Sequence, residues 1–425
     1  MRMRMILVPA LCLVLAHPLS AAPRHALLLR DAAVASKAGN HSAALAKLQE
    51  AERLRPDYPR IQLNLARTYA ALDRVEEALG ALERLADMGL QFDLAADPAF
   101  APLKELPDFH DLIDRTTRPV PPLPATDDTA FALTGVTGII ESCLVDPSTL
   151  LWYFGDVRNR CIWTRDVSTG TGVLKKFTAD EDALDGVFKI ALSADRKTLW
   201  AATATTSAMN GSDAIDGKRT ALVAIDFTTG RIRARYPVPP DGRKHLVGDF
   251  VVAPDGTIYA TDSLSPVIWR LPPGASALES WLEHDDFLSL QGIAVSPDGR
   301  ELFVADYANG IWQITGNQAT PRRLVPPSTA TFFGIDGIYA VPGGLLAIQN
   351  GVSPQRVLRI QPAFPGPCET AVVAINRPEM TDLALGAVFN GRLHFVGNSG
   401  WALFDPPTAT PPPARTVVIY STAVE

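Results

Sequence analysis

The stretch GDFVVAPDGTIYATDSLSPVIWRL (248–271) and its near-copy QGIAVSPDGRELFVADYANGIWQI (291–314) decide the fold. Each breaks short apolar runs with turn residues, so each reads as strand, tight turn, strand, polar loop, strand. Pro254 and Pro297 preset the first turn dihedral, and Gly256 and Gly299 accept a positive φ. The same register recurs in ESCLVDPSTLLWYFGDVRNRCIWTRD (141–166), FKIALSADRKTLWAATA (188–204) and DGIYAVPGGLLAIQNGVSPQRVLRI (336–360), and more loosely in LALGAVFNGRLHFVGNSGWALFD (383–405). First strands therefore begin near 141, 188, 248, 291, 336 and 383. Six such near-copies at even spacing predict radial repetition, a six-bladed β-propeller over 130–425, rather than a sandwich. Trp163, Trp269 and Trp312 recur in the third strand and are expected to pack between blades. The run TVVIYSTAV (416–424) is expected to form the outer strand of the last blade.

Upstream the periodicity changes from two to 3.6. Gly39 and Asp73 lie 34 residues apart, as do Ala44 and Ala78, inside two helical patterns with leucines on one face. That period resembles the tetratricopeptide repeat, over about two repeats and a degenerate third piece. The small Ala44 and Ala78 let paired helices approach closely, and Pro56 and Pro59 end the first hairpin. Two repeats are few for a free array, so the helices are expected to dock on the propeller or on another chain, or to offer a groove to a partner's peptide. The fold class is thus multidomain, helical hairpins followed by an all-β propeller, with a helical domain at 23–115 and a Pro-rich linker at 116–129.

Residues 1–22 read as a cleaved signal peptide: Arg2 and Arg4, an apolar run from Met5 to Ala16, then small residues at Ser20–Ala22. This predicts a periplasmic or secreted protein with no membrane span after cleavage. A net charge of −7 offers nothing to neutralise phosphates, which argues against nucleic acid as a partner. Of four cysteines, Cys12 leaves with the signal, and Cys143, Cys161 and Cys368 sit in settings suited to buried free thiols. There is no GxSxG elbow, no HExxH and no dinucleotide fingerprint; GSDAIDGKR (211–219) departs from a P-loop by one residue and lacks the hydroxyl.

The starts of the first strands converge on the propeller axis at one mouth. Reading that position from each blade gives Glu141, Phe188, Gly248, Gln291, Asp336 and Leu383. Two carboxylates and an amide facing one small volume repel each other unless a proton or a cation intervenes. Calcium, which takes several oxygen ligands, suits such a set; hydrogen bonding to backbone or water is the alternative.

On these residues the propeller resembles the regucalcin–gluconolactonase–paraoxonase superfamily. The resemblance implies a calcium ion in the channel and hydrolysis of lactones or esters. Its ligand pattern is a Glu opening the first blade, matched by Glu141; an Asn-Asp pair, here Gly248-Asp249; an Asn-Gly pair, here Gln291-Gly292; and an Asp opening the fifth blade, matched by Asp336. It assigns the metal to Glu141, Gln291 and Asp336, and gives Asp336 a second role as the base for the hydrolytic water. Gly248 supplies no ligand and Gln291 is longer than the asparagine it replaces, so the implied site is altered. Asp249, His245 and His284 are the candidates for contacting a substrate, Arg158, Arg160 and Lys244 for receiving an anionic one, and the loop 204–219 for a lid. Asp156, Asp262 and Asp306 close equivalent second strands, a recurrence that predicts a repeated loop hydrogen bond. Two function classes stay open: a calcium-dependent lactonase or esterase, and a non-catalytic scaffold whose helical repeats and propeller bind protein or glycan.

Overall fold

Helix formation at the N-terminal end follows its apolar spacing and its stop signals. A computed structural model describes residues 22–124, 129–167, 174–211, 215–315, 320–404 and 412–425. The expected signal peptide lies, but for Ala22, outside the described residues. Helices α1 (Arg24–Lys37) and α2 (His41–Leu54) form one hairpin, and α3 (Pro59–Ala71) and α4 (Val75–Asp87) a second. A 3₁₀ turn (Pro98–Leu103) and α5 (Pro107–Thr117) complete the unit. Gly39 and Asp73 both take positive φ, 74° and 59°, just past the first helix of each hairpin. Ala44 and Ala78 are wholly buried, as close helix approach requires. Among the described residues no helix is long and apolar enough to cross a membrane.

The rest of the chain forms six four-stranded antiparallel sheets, one per blade. Blade one is built from Ile140–Val145, Leu151–Asp156, Cys161–Asp166 and Lys175–Lys176. The innermost strands of blades two to six are Gly186–Leu192, Val247–Val252, Leu290–Val295, Ile335–Val341 and Ala384–Phe389. Apolar side chains of neighbouring blades interdigitate; Ile268 of blade three, for example, shares a core with Ile293, Val304 and Trp312 of blade four.

The last blade differs from expectation. Its strand order runs Ala384–Phe389, Arg392–Val396, Arg415–Ala423, then Thr129–Val136. The C-terminal strand is therefore third, and the outer strand comes from the N-terminal end of the propeller, pairing Phe131 with Ile419 and Leu133 with Val417. The physical reason is closure: a sheet completed from both chain ends covers two edges at once.

The helical unit docks on the propeller. Arg55 is buried, forms an ion pair with Asp57 at 2.9 Å and donates to the Asn309 carbonyl at 3.2 Å. Tyr58 packs edge-on against Phe333 at 5.1 Å. The Gln91 amide donates to the Ser353 carbonyl, and Arg356 of blade five donates to the carbonyls of Met88 and Gly89. Beyond α5 the linker runs along blade five, where Leu123 and Ile375 exchange backbone hydrogen bonds of 3.0 Å.

Asp156, Asp262 and Asp306 behave as their recurrence predicts. Asp262 accepts from the backbone N–H groups of Leu246, Leu264 and Ser265 and from the Trp269 indole. Asp306 accepts from the N–H groups of Leu288, Ser289, Ala308 and Asn309. Each ties the loop entering a blade to the loop leaving its second strand. Trp163 and Trp269 add an indole bond to that aspartate beyond the expected packing. Replacing Asp262 by Ala strands these donors in a buried setting, and urea unfolding is expected to show a loss of about 3 kcal/mol or more, with Asp262→Asn milder.

Docking also carries an acid-sensitive element. His25 of α1 is buried against Tyr58 at 5.6 Å, and its Nε2 has no hydrogen-bond partner. Burial, with the charges of Arg55 and Arg323, pushes its imidazole down from 6.5 to about 3. The unfolded chain takes up a proton below pH 6.5 that the folded one refuses. This contribution is therefore complete above pH 6.5 and is lost as pH falls toward 3, by about 1.4 kcal/mol per unit. Urea unfolding at successive pH values down to about 5 is expected to show a shallower acid slope in His25→Phe than in the parent.

Candidate functional site

Every blade repeats one irregularity. The pairing of the innermost strand with the second slips between Ile140 and Ser142, Val187 and Lys189, Val247 and Asp249, Ile335 and Gly337, and Ala384 and Gly386. In blade four it slips across two residues, between Leu290 and Ile293. A bulge frees its extra residue from the ladder and re-aims the side chain. The freed residues are Glu141, Phe188, Gly248, Gln291, Asp336 and Leu385, and all six line one cavity at the channel mouth. The expected ring is thus found in five blades and corrected in the sixth: the bulge presents Leu385, and Leu383 is buried elsewhere.

The cavity measures about 140 Å³, and its lining divides into polar side chains, here called the floor, and apolar ones, the collar. On the floor, Glu141 is only 8% exposed and Oε2 accepts a hydrogen bond from the Trp401 indole. Burial, reinforced by the charge of Asp336, holds its carboxyl well above the usual range. Asp336 Oδ2 accepts from Asn350 Nδ2 at 2.8 Å. Burial, with the charges of Asp249 and Asp382, pushes Asp336 up to about 7 against the opposing Asn350 bond and Lys189 charge. The collar is formed by Phe188, Leu246, Leu385, Trp401 and Phe404.

The remaining candidates separate. Asp249 lines the cavity but is engaged from below: Lys189 Nζ lies 3.4 Å from Oδ1, and the amides of Phe250 and Ile293 donate to its two oxygens. His245 lies outside the cavity lining, bridging Asp262 at 2.6 Å and Asp241 at 2.8 Å. His284 lies outside it as well, packed on Phe287 and Trp312. Both are spent on loop structure, His245 on the two aspartates and His284 on accepting from the Asp286 amide. Arg160 is tied to the Leu184 and Asn210 carbonyls, and Arg158 stacks on Phe404 at 4.2 Å. In the loop 204–219, Thr206, Ser207 and Ala208 line the cavity, held by Asp216, which accepts from Thr206 Oγ1 and the Ser207 amide; residues 212–214 lie outside the described residues. The three free cysteines are buried.

Tyr307, Asn350, Asp382 and Trp401 are among the lining residues that escaped the sequence reading. Tyr307 and Asn350, with Ser263, share a rule: each directly follows the residue that closes a second strand, Asp306, Gln349 and Asp262. That position was visible in the repeat. Asp382 accepts from Ser399 Oγ and the amides of Gly400 and Trp401, and so holds Trp401 over Glu141. It carries no repeat signal.

A cation can be tested against this donor set. Among the described residues no group of three or more His, Cys, Asp or Glu side chains converges at metal-holding distance. The oxygens available are those of two carboxylates, Glu141 and Asp336, and two amides, Gln291 and Asn350. Gln291 Oε1 accepts from Ser263 Oγ at 3.2 Å, a bond a rotating hydroxyl can give up. Asn350 Oδ1 is buried and has no hydrogen-bond partner among the described residues. An orphaned amide oxygen beside an uncompensated carboxylate fits a hard, oxygen-seeking ion such as calcium.

Residues 35–96 match the tetratricopeptide repeat family. No curated protein matches the chain. Among solved structures, selenomethionine-substituted virginiamycin B lyase from Staphylococcus aureus is similar at 14% identity, covering 62% of this chain and 80% of that one, with a TM-score of 0.43. A streptogramin B lyase is similar at 15% identity, over 69% and 87%, with a TM-score of 0.45. A nidogen–laminin complex contains a chain similar at 14% identity, over 59% and 84%, with a TM-score of 0.44. At these identities the likeness is one of architecture.

Proposed function

We propose that the chain is an exported, calcium-dependent hydrolase of small lactones or esters, acting at the propeller mouth. The observation that carries the reading is the pair Glu141 and Asp336: two desolvated carboxylates on one cavity floor, beside the unpartnered amide oxygen of Asn350. Glu141, Asp336, Gln291 and Asn350 would hold the ion. Bound calcium supplies the positive charge that polarises a carbonyl oxygen and keeps its carboxylates ionised.

The other parts of the reaction fall to the chain. Asn350 orients the Asp336 carboxylate by its 2.8 Å bond, leaving Oδ1 to accept a proton from an attacking water. Lys189 holds Asp249 and keeps it from competing for that proton. The collar of Phe188, Leu246 and Trp401 excludes bulk water and seats the apolar part of the substrate. Export rests on the charge and hydropathy pattern of residues 1–22.

The test is thermal unfolding of the mature protein with calcium and with chelator. Calcium at a hundred times its Kd is expected to add about 2.7 kcal/mol of stability. Glu141→Gln and Asp336→Asn each remove the rise. Gly248→Asn strengthens it, because the one tight contact of its Cβ is the Ser263 hydroxyl at 2.9 Å, which can rotate away, Leu246 and Gln291 lying at 3.6 and 3.7 Å, and its amide adds a ligand. On a panel of small lactones, Asp336→Asn lowers kcat by about a hundredfold or more. A melting temperature indifferent to calcium overturns the reading, and a partner screen with the helical unit then tests the scaffold alternative.

A further inference from the structure

The cavity has a second character that lactone hydrolysis does not require. Four carboxylates line it, Glu141, Asp249, Asp336 and Asp382, and among the described residues no Lys, Arg or His side chain does. Two of the four are already answered. Lys189 pairs with Asp249 from beneath the floor. Asp382 is saturated by Ser399, Gly400 and Trp401. Glu141 and Asp336 face the cavity with no cation opposite them. Glu141, more than nine-tenths buried, keeps Oε1 free of any hydrogen-bond partner among the described residues.

Beside this pair stand two aromatic side chains, Trp401 turning its N–H edge to Glu141. Phe188 and Trp401 lie 6.0 Å apart at 33°, and Trp401 is fixed over Glu141 by its indole bond. A carboxylate pair in an otherwise apolar cavity is an arrangement that recognises an organic ammonium: charge-assisted N–H bonds to the acids and apolar contact for the hydrocarbon part. A neutral ligand leaves the pair to be answered by protons alone, and an anion finds no positive side chain in the lining. The size is of the order of a single small ring. A cavity of about 150 Å³ admits benzene, and this one is about 140 Å³.

We propose that the cavity binds a small ring-bearing primary ammonium ion, its N–H groups on Glu141 and Asp336 and its ring against the apolar lining of Phe188, Leu246 and Leu385. The ammonium brings three donors to two carboxylates and supplies the charge they lack. This ligand class goes beyond the hydrolase reading and does not depend on turnover or on calcium.

Calorimetric titration of the mature protein with benzylamine, in chelator at neutral pH, tests it, with benzyl alcohol and benzoate as neutral and anionic controls. Benzylamine is expected to bind at least tenfold more tightly than either control, and Glu141→Gln and Asp336→Asn each to weaken it by tenfold or more. Phe188→Ala, which leaves the carboxylates in place, is expected to weaken it severalfold. Circular dichroism of each variant separates loss of the site from loss of the fold. Equal affinity for benzyl alcohol, or benzylamine binding unchanged in folded Glu141→Gln and Asp336→Asn, overturns the proposal. A lactone panel without turnover leaves an amine-binding result standing, and absent amine binding leaves the calcium test of hydrolysis untouched.

Discussion

The bulge in the innermost strand of each blade is the constraint on which the mouth depends. A strand in regular register sends alternate residues into its two faces, where the neighbouring blades bury them. Slipping the register once per blade turns a residue out of that alternation and toward the axis. Because all six blades slip at the same height, the six freed residues meet. The chemistry of the mouth is then decided by which side chain each blade happens to place there: two acids, one amide, one glycine and two apolar residues.

Convergence places like charges in a low-dielectric space, and the fold answers this unevenly. Asp249 receives a buried ammonium, and Asp382 receives three donors from a tight turn. Glu141 and Asp336 receive one hydrogen bond each, and both carboxyls are driven upward in pKa, foremost by burial. A floor fully compensated from within would have no electrostatic need of a ligand. The two acids left short are what give the cavity its preference for positive charge.

The helical unit is attached where it bears on that same end of the molecule. Tyr58 packs on Phe333, Phe333 on Tyr307 at 6.1 Å, and Tyr307 lines the cavity. The bond of Arg55 to Asn309, the ion pair of Asp57 with Arg323 at 3.5 Å and the reach of Arg356 to the end of α4 anchor the helices to blades four and five. Such buried charged contacts contribute little net stability, but they are costly to break singly, which favours one docked geometry. Two hairpins that would be marginal as a free array thereby complete their core against propeller residues, Phe333 and Val352 among them.

Local pattern was enough for everything that repeats. The Pro-Asp-Gly turns, the 34-residue offset of Gly39 with Asp73 and of Ala44 with Ala78, the recurring Asp156, Asp262 and Asp306, and five of the six mouth positions are all readable because a repeat writes the same physical demand several times. Tertiary structure decided what occurs once. Leu385 replaces Leu383 because a bulge counts residues differently from a regular strand. The outer strand of the last blade comes from Thr129–Val136 because ring closure joins residues nearly 300 positions apart. Lys189 under Asp249 and Trp401 over Glu141 are partners across different blades, Asn350 meets Asp336 across one blade, and no local pattern encodes these contacts. Periodicity determined the scaffold; the pairing of charges within it was settled only when the ring closed and brought unrelated loops to one axis.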